Sequence, residues 1–154
     1  MPGRRTVSNY DKKNLPFFSS MKLLITGSRA IAEIEANFTR LANEITSRYP
    51  NVSILLHGGA RGADQLADRF ARVHGLAVQV IRPDYQYYPE KLAPLMRNTE
   101  LVELADAVVA FYGPKSKTGG TWDTVKKALA KNIPVTELFA DGTVRHTPAR
   151  LSLF

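Results

Sequence analysis

Short apolar runs alternate along this chain with segments of helical period, and most of the runs end in a glycine-rich or polar turn. Lys22–Thr26, Val52–Leu56, Ala77–Ile81, Ala107–Phe111 and Ile133–Glu137 are too continuously apolar for one-sided strands, so they read as buried strands. Residues 31–48 carry Ile34, Phe38, Leu41 and Ile45 at helical spacing. Residues 63–74 carry Leu66, Phe70 and Val73 in the same way, with Gly75 just past the end. Further helices are predicted from about Pro94 to about Ala105, and over Trp122–Lys131, stopped by Asn132. Strands alternating with helices over short turns form a parallel sheet covered on both faces. Right-handed crossovers then predict a doubly wound, five-stranded α/β sheet.

Such sheets bind ligands beyond the carboxyl ends of their strands, near the switch in strand order. Three glycine turns belong to that rim: Gly27-Ser28-Arg29, His57-Gly58-Gly59-Ala60-Arg61-Gly62-Ala63-Asp64, and Thr118-Gly119-Gly120-Thr121. Glycine lets backbone amides approach a ligand, and helices starting there present their positive ends. The pattern predicts one shared place for phosphate or another anion.

The individual residues keep structural alternatives beside functional ones. Ser28 is placed to cap the next helix. Arg29, a cation beside that helix start, either answers an anion or swings out on the surface. Arg61 offers a fork for phosphate. Asp64 suits either helix capping or ribose hydroxyls, and His57 either proton transfer or packing. Thr121 suits capping or anion contact, and Asp123 falls in a first helical turn. Tyr85, Tyr87 and Tyr88 either stack on a base or on one another. Arg97-Asn98 sits within a helix whose face the sequence leaves open, and Asp106 belongs to the far rim. No P-loop and no dinucleotide fingerprint is present, and the His spacing supports no catalytic zinc. No motif calls for a metal or cofactor.

At 154 residues the chain is sized for a single core. It has no cysteine, which excludes disulfides and thiolate chemistry. No secretory leader and no membrane-spanning run is read from it, so a cytoplasmic location is expected. The formal charge is +7. Arg4, Arg5, Lys12 and Lys13 against Asp11 place +3 of it in residues 1–20, read as a basic arm without regular structure and with Phe17-Phe18 as an anchor. Residues 138–154 read as a tail with room for one short strand, leaving residues 21–137 as the domain. The arm is a solvated or subunit-strapping segment, or a contact for nucleic acid. Apolar helix stripes also predict self-association.

Taken in order, Gly27-Ser28-Arg29, His57–Asp64, Pro83-Asp84-Tyr85, Arg97-Asn98, Ala105–Phe111 and Gly119-Gly120-Thr121 resemble the SLOG superfamily, closest to its YspA/YpsA-related branch. The LOG phosphoribohydrolases and the DNA-processing protein A family are more distant relatives. The resemblance covers about residues 21–136. It implies a Rossmann-like fold and a nucleotide or nucleotide-derived ligand, in some members sensed in bacterial or phage defence. By position, Arg97 resembles the LOG arginine at the ribose phosphate, and Gly119-Gly120-Thr121 part of the LOG glycine motif. Where that motif has its glutamate, this chain has Thr124.

Three functions follow as expectations. The first is a ligand-binding module for nucleotides using Gly27, Ser28, Arg29, His57, Gly58, Gly59, Arg61, Gly62, Asp64, Tyr85, Arg97, Asn98, Gly119, Gly120 and Thr121. The second is a nucleotide N-glycoside hydrolase with Asp64 or Asp123 as the carboxylate and Arg97 beside it. The third is DNA binding.

Overall fold

The computed structural model describes residues 5–7, 21–115 and 117–151. Strands β1 (Arg5–Val7), β2 (Met21–Gly27), β3 (Val52–His57), β4 (Ala77–Ile81), β5 (Ala107–Phe111), β6 (Val135–Leu138) and β7 (Val144–Thr147) form one sheet. Its order is β1-β4-β3-β2-β5-β6-β7. The central β4-β3-β2-β5-β6 are parallel, and this is the five-stranded sheet the sequence predicts. The two outermost strands are antiparallel additions, so the whole sheet has seven strands. Helices α1 (Glu35–Arg48), α2 (Ala63–His74), α3 (Ala93–Leu104) and α4 (Gly119–Ala130) connect the parallel strands.

Neighbouring residues of one strand serve opposite layers. Leu23 and Ile25 join Leu41, Ile45, Leu66 and Phe70 under α1 and α2. Leu24 joins Leu101, Val102, Val125 and Ala128 under α3 and α4. Both sheet faces are dry, which is why the strands lack polar alternation. The strand order reverses between β2 and β5, and the chain leaves both strands on the same rim. There Ser28 N–H donates to the Phe111 carbonyl at 3.0 Å, extending the ladder one residue past β2.

Several boundaries differ from the periodicity, each for a local reason. Helix α1 starts at Glu35 because Ile34 is extended (φ −111°, ψ 162°). Ile34 is therefore 55% exposed, while Ile31, outside the helix, enters the core. In α2 the buried stripe runs through Ala63, Leu66, Ala67, Phe70 and Ala71, so its centre lies toward the alanines and Val73 is 64% exposed. Gly75 closes α2 in the left-handed conformation (φ 66°), donating to the Ala71 carbonyl. Helix α4 starts at Gly119 rather than Trp122, which puts both glycines inside its first turn. Arg5–Val7 is a strand although three residues show no period: its register on Gln79–Ile81 comes from the open edge of β4. The rest of the basic arm, including Phe17-Phe18, and residues 152–154 of the tail lie outside the described residues.

Gly27 marks the tightest point of the fold. A Cβ there would meet Ala63 Cβ and lie 2.6 Å from the Phe111 carbonyl oxygen, both on elements that cannot yield independently. Gly27→Ala is expected to lower stability by about 1–3 kcal/mol through overpacking. Gly75→Ala has no atom within 4 Å of its new Cβ and bears only the left-handed backbone cost, about 1–2 kcal/mol. Urea unfolding of the two variants checks this.

Candidate functional site

A cleft of about 910 Å³ opens at the switch point between β2 and β5. The first glycine turn gives it Gly27, Ser28 and Arg29; the second gives Ala60 and Asp64; the third gives Gly119, Gly120 and Thr121. Helix α3 contributes Arg97 and Asn98. His57, Gly58, Gly59, Arg61, Gly62, Tyr85 and Asp123 do not line it.

The second glycine turn is built around its own side chains. Asp64 is 6% exposed, and its Oδ2 accepts the Gly58 and Ala60 N–H groups, each at 3.1 Å. Gly59 N–H donates to His57 Nδ1 at 3.0 Å, and Gly62 N–H to Glu33 Oε2 at 3.2 Å. These four amides are thus taken by the protein itself. Burial pushes the Asp64 carboxyl above its usual range, against the opposing pull of the two amides and Arg97.

The glycines here make room for arginines. A Cβ on Gly58 would fall 2.7 Å from Arg97 Cζ, and one on Gly59 (φ +74°) equally close to Arg82 Cζ. Arg97 Nη1 donates to the Gly58 carbonyl at 2.8 Å, and Arg82 Nη1 to the Gly59 carbonyl at 3.1 Å. Burial lowers the Arg97 pKa, with Asp64 counteracting and Arg29 adding to the fall. Gly62 (φ +81°) allows the Ser28 carbonyl to approach.

His57 is 2% exposed, with Nε2 3.1 Å from Asp68 Oδ1. Because Nδ1 accepts from Gly59, Nε2 must carry the proton it gives to Asp68. Both ring nitrogens are occupied, so His57 packs the turn and does not line the cleft. Ser28 does not cap α1: its hydroxyl accepts the Ala30 N–H at 3.0 Å in a tight turn. Arg29 is exposed and precedes a loop rather than a helix. Arg61 is an exposed side chain away from the cleft, and Tyr85 is 56% exposed. Tyr87 and Tyr88 meet edge to face at 4.7 Å, so those two loop aromatics pack on one another.

A second network joins α3 to α4. Asn98 Oδ1 accepts from Arg97 Nε at 3.0 Å, and Asn98 Nδ2 donates to Asp123 Oδ2 at 3.1 Å. Asp123 Oδ2 also pairs with Lys127 Nζ at 2.8 Å. This carboxylate serves the helix interface. Among the cleft's lining residues Asp64 is the sole carboxylate.

The amides opening α4 are in a different state. Thr118 stands at the N-cap, yet its hydroxyl donates to the Lys115 carbonyl at 2.9 Å and makes no cap. The first turn holds no acidic residue. Thr121 is 8% exposed and its hydroxyl has no partner among the described residues; it opens onto the cleft. Among the described residues, the positive end of α4 is therefore left unanswered at the cleft wall.

Sequence reasoning passed over Lys91, Lys115, Leu95 and Tyr112, which also line the cleft. Lys115 lies in a polar loop after a strand, which is a usable signal. Lys91 precedes α3 with no motif around it. Tyr112 is one residue past β5, and its hydroxyl donates to the buried Glu137 Oε2 at 2.8 Å. Burial and that carboxylate raise the Tyr112 pKa. Among the described residues no group of three or more His, Asp or Glu side chains could hold a metal. No helix among them is long and apolar enough to cross a membrane.

A doubly wound parallel sheet with a cleft at its switch point defines a Rossmann-like α/β protein. The chain belongs to the YspA, cpYpsA-related SLOG family, whose model matches residues 21–88. It is similar to the Gene 61 protein of Mycobacterium phage D29, with 38% identity over 120 residues, 74% of this chain and 93% of that protein. No solved structure matches it.

The arginine bridge sets a stability prediction. Arg97→Met leaves the Gly58 carbonyl without its donor and the Asp64 carboxylate without its nearby cation. A loss of about 2–4 kcal/mol is expected. Arg61→Met, on the same turn but outside the network, should change stability by less than about 0.5 kcal/mol. Chemical denaturation of both checks the contrast.

Proposed function

We propose that the protein binds a nucleotide or nucleotide-derived ligand in the switch-point cleft, as a binding or sensing module. The observation carrying this reading is the start of α4 at the cleft wall, which has no side-chain cap among the described residues, with the Thr121 hydroxyl, likewise without a partner among them, beside it. Orphan amides and a positive helix end suit a phosphate. Ser28 and Lys115 line the same cleft, and Pro94, Leu95 and Pro114 supply an apolar surface for a base or sugar. Family membership supports the same class of ligand. The second glycine turn enters as a scaffold, holding Asp64 and Arg97 in place.

N-glycoside hydrolysis is the second reading, and Asp64 favours it as the one carboxylate on the cleft wall. Its Oδ2 already holds two amides, so water activation would fall to its other oxygen. Asp123, off the wall and tied to Asn98 and Lys127, has no place in that chemistry.

Calorimetric titration with a panel of mono-, di- and cyclic nucleotides tests the leading reading. Saturable binding is expected, weakened by about 3- to 10-fold in Thr121→Val, which keeps the shape and removes one hydrogen bond. No heat from any nucleotide at millimolar concentration overturns it. Free base released from a nucleoside monophosphate, and abolished in Asp64→Asn, would establish the second reading instead.

A further inference from the structure

The cleft's charges say more about the ligand than that it is anionic. Five ionisable side chains of Arg, Lys or Asp type line it: Arg29, Lys91, Arg97, Lys115 and Asp64. Asp64 and Arg97 lie close enough to offset one another, and both are engaged with the Gly58 turn. That leaves Arg29, Lys91 and Lys115. All three are exposed, and none forms an ion pair among the described residues. They come from three segments: the turn after β2, the approach to α3, and the loop before α4. Lys115 stands at the α4 end, where its carbonyl holds the Thr118 hydroxyl. Arg29 stands toward Arg97, whose pKa it depresses.

A terminal phosphate carries about −1.5 to −2 at neutral pH. Placed at the start of α4 it answers Lys115 and the helix end, and leaves positive charge uncompensated on the Arg29 side. A second, bridging phosphoryl group adds one more ionised oxygen and extends the anion across the cleft. The volume allows it: about 910 Å³ lies near the top of the ~300–1,000 Å³ usual for small-molecule sites.

Resting on the nucleotide-binding reading, we infer that the ligand is of the nucleoside diphosphate class, with one phosphoryl group at the α4 start and Thr121 and the other answered by the remaining cleft cations, Arg29 and Lys91. The monophosphate leaves the second position empty. Affinity for the diphosphate should also fall more steeply with salt, since its partners are exposed.

The test is calorimetry with each of four nucleoside monophosphates against its own diphosphate, in about 0.1 M salt. At least one pair should show the diphosphate about tenfold or more tighter. In the Arg29→Gln, Lys91→Gln double variant, shown to be folded by circular dichroism, the ratio for that pair should drop to within about threefold. Monophosphate bound as tightly as diphosphate overturns this inference and leaves the nucleotide reading standing. A diphosphate preference that survives in the double variant overturns the assignment of Arg29 and Lys91. Binding of neither class overturns this inference, and the underlying reading falls with it when cyclic nucleotides also give no heat.

Discussion

One carboxylate organises the ligand rim. Asp64, at the start of α2, draws the Gly58 and Ala60 amides onto a single oxygen and so closes the turn between β3 and α2. The closed turn turns its carbonyls outward. Arg97 and Arg82 take two of them, and Arg97 passes the constraint through Asn98 to Asp123 on α4. A buried carboxylate is stable only when its lone pairs are answered. Satisfying this one fixes a turn, the α3 face and the register of α4 together.

That closure divides the glycines into two kinds. Those of the second turn are spent inside the protein, giving way to arginine side chains and to the Ser28 carbonyl. Gly119 and Gly120 open α4, and an added Cβ on either would meet nothing closer than 3.8 Å. The first group rigidifies; the second leaves space. A rigid turn opposite an open helix start is the arrangement a small anion needs, since little ordering remains to oppose binding.

The cleft's wall was legible in part. Gly27, Ser28, Arg29, Gly119, Gly120 and Thr121 could be placed on it because topology alone brings strand ends to one rim. Asp64, Arg97 and Asn98 also line it. His57 and Gly58–Gly62 belong to the same rim, but their hydrogen bonds run inward, and no spacing rule distinguishes an amide that meets a ligand from one that meets Asp64. Lys91 carried no signal, because a lone lysine before a helix has no pattern. The Ile34 and Val73 assignments missed for a related reason: period places a residue on a face, while burial depends on where the sheet beneath that face stops.

The order of apolar runs and helical segments by itself determined the parallel sheet, its two covered faces and the rim that holds the cleft, because backbone hydrogen bonding and crossover handedness leave one way to bury such runs. Two things waited for the tertiary structure. The edge strand β1, and the antiparallel pairing of the short tail strand β7, arise where the parallel sheet leaves open backbone, which local sequence does not encode. Which backbone groups of the second turn are committed depends on side chains distant in sequence, Glu33 accepting the Gly62 amide and Arg97 donating to the Gly58 carbonyl, and only the folded packing brings them there.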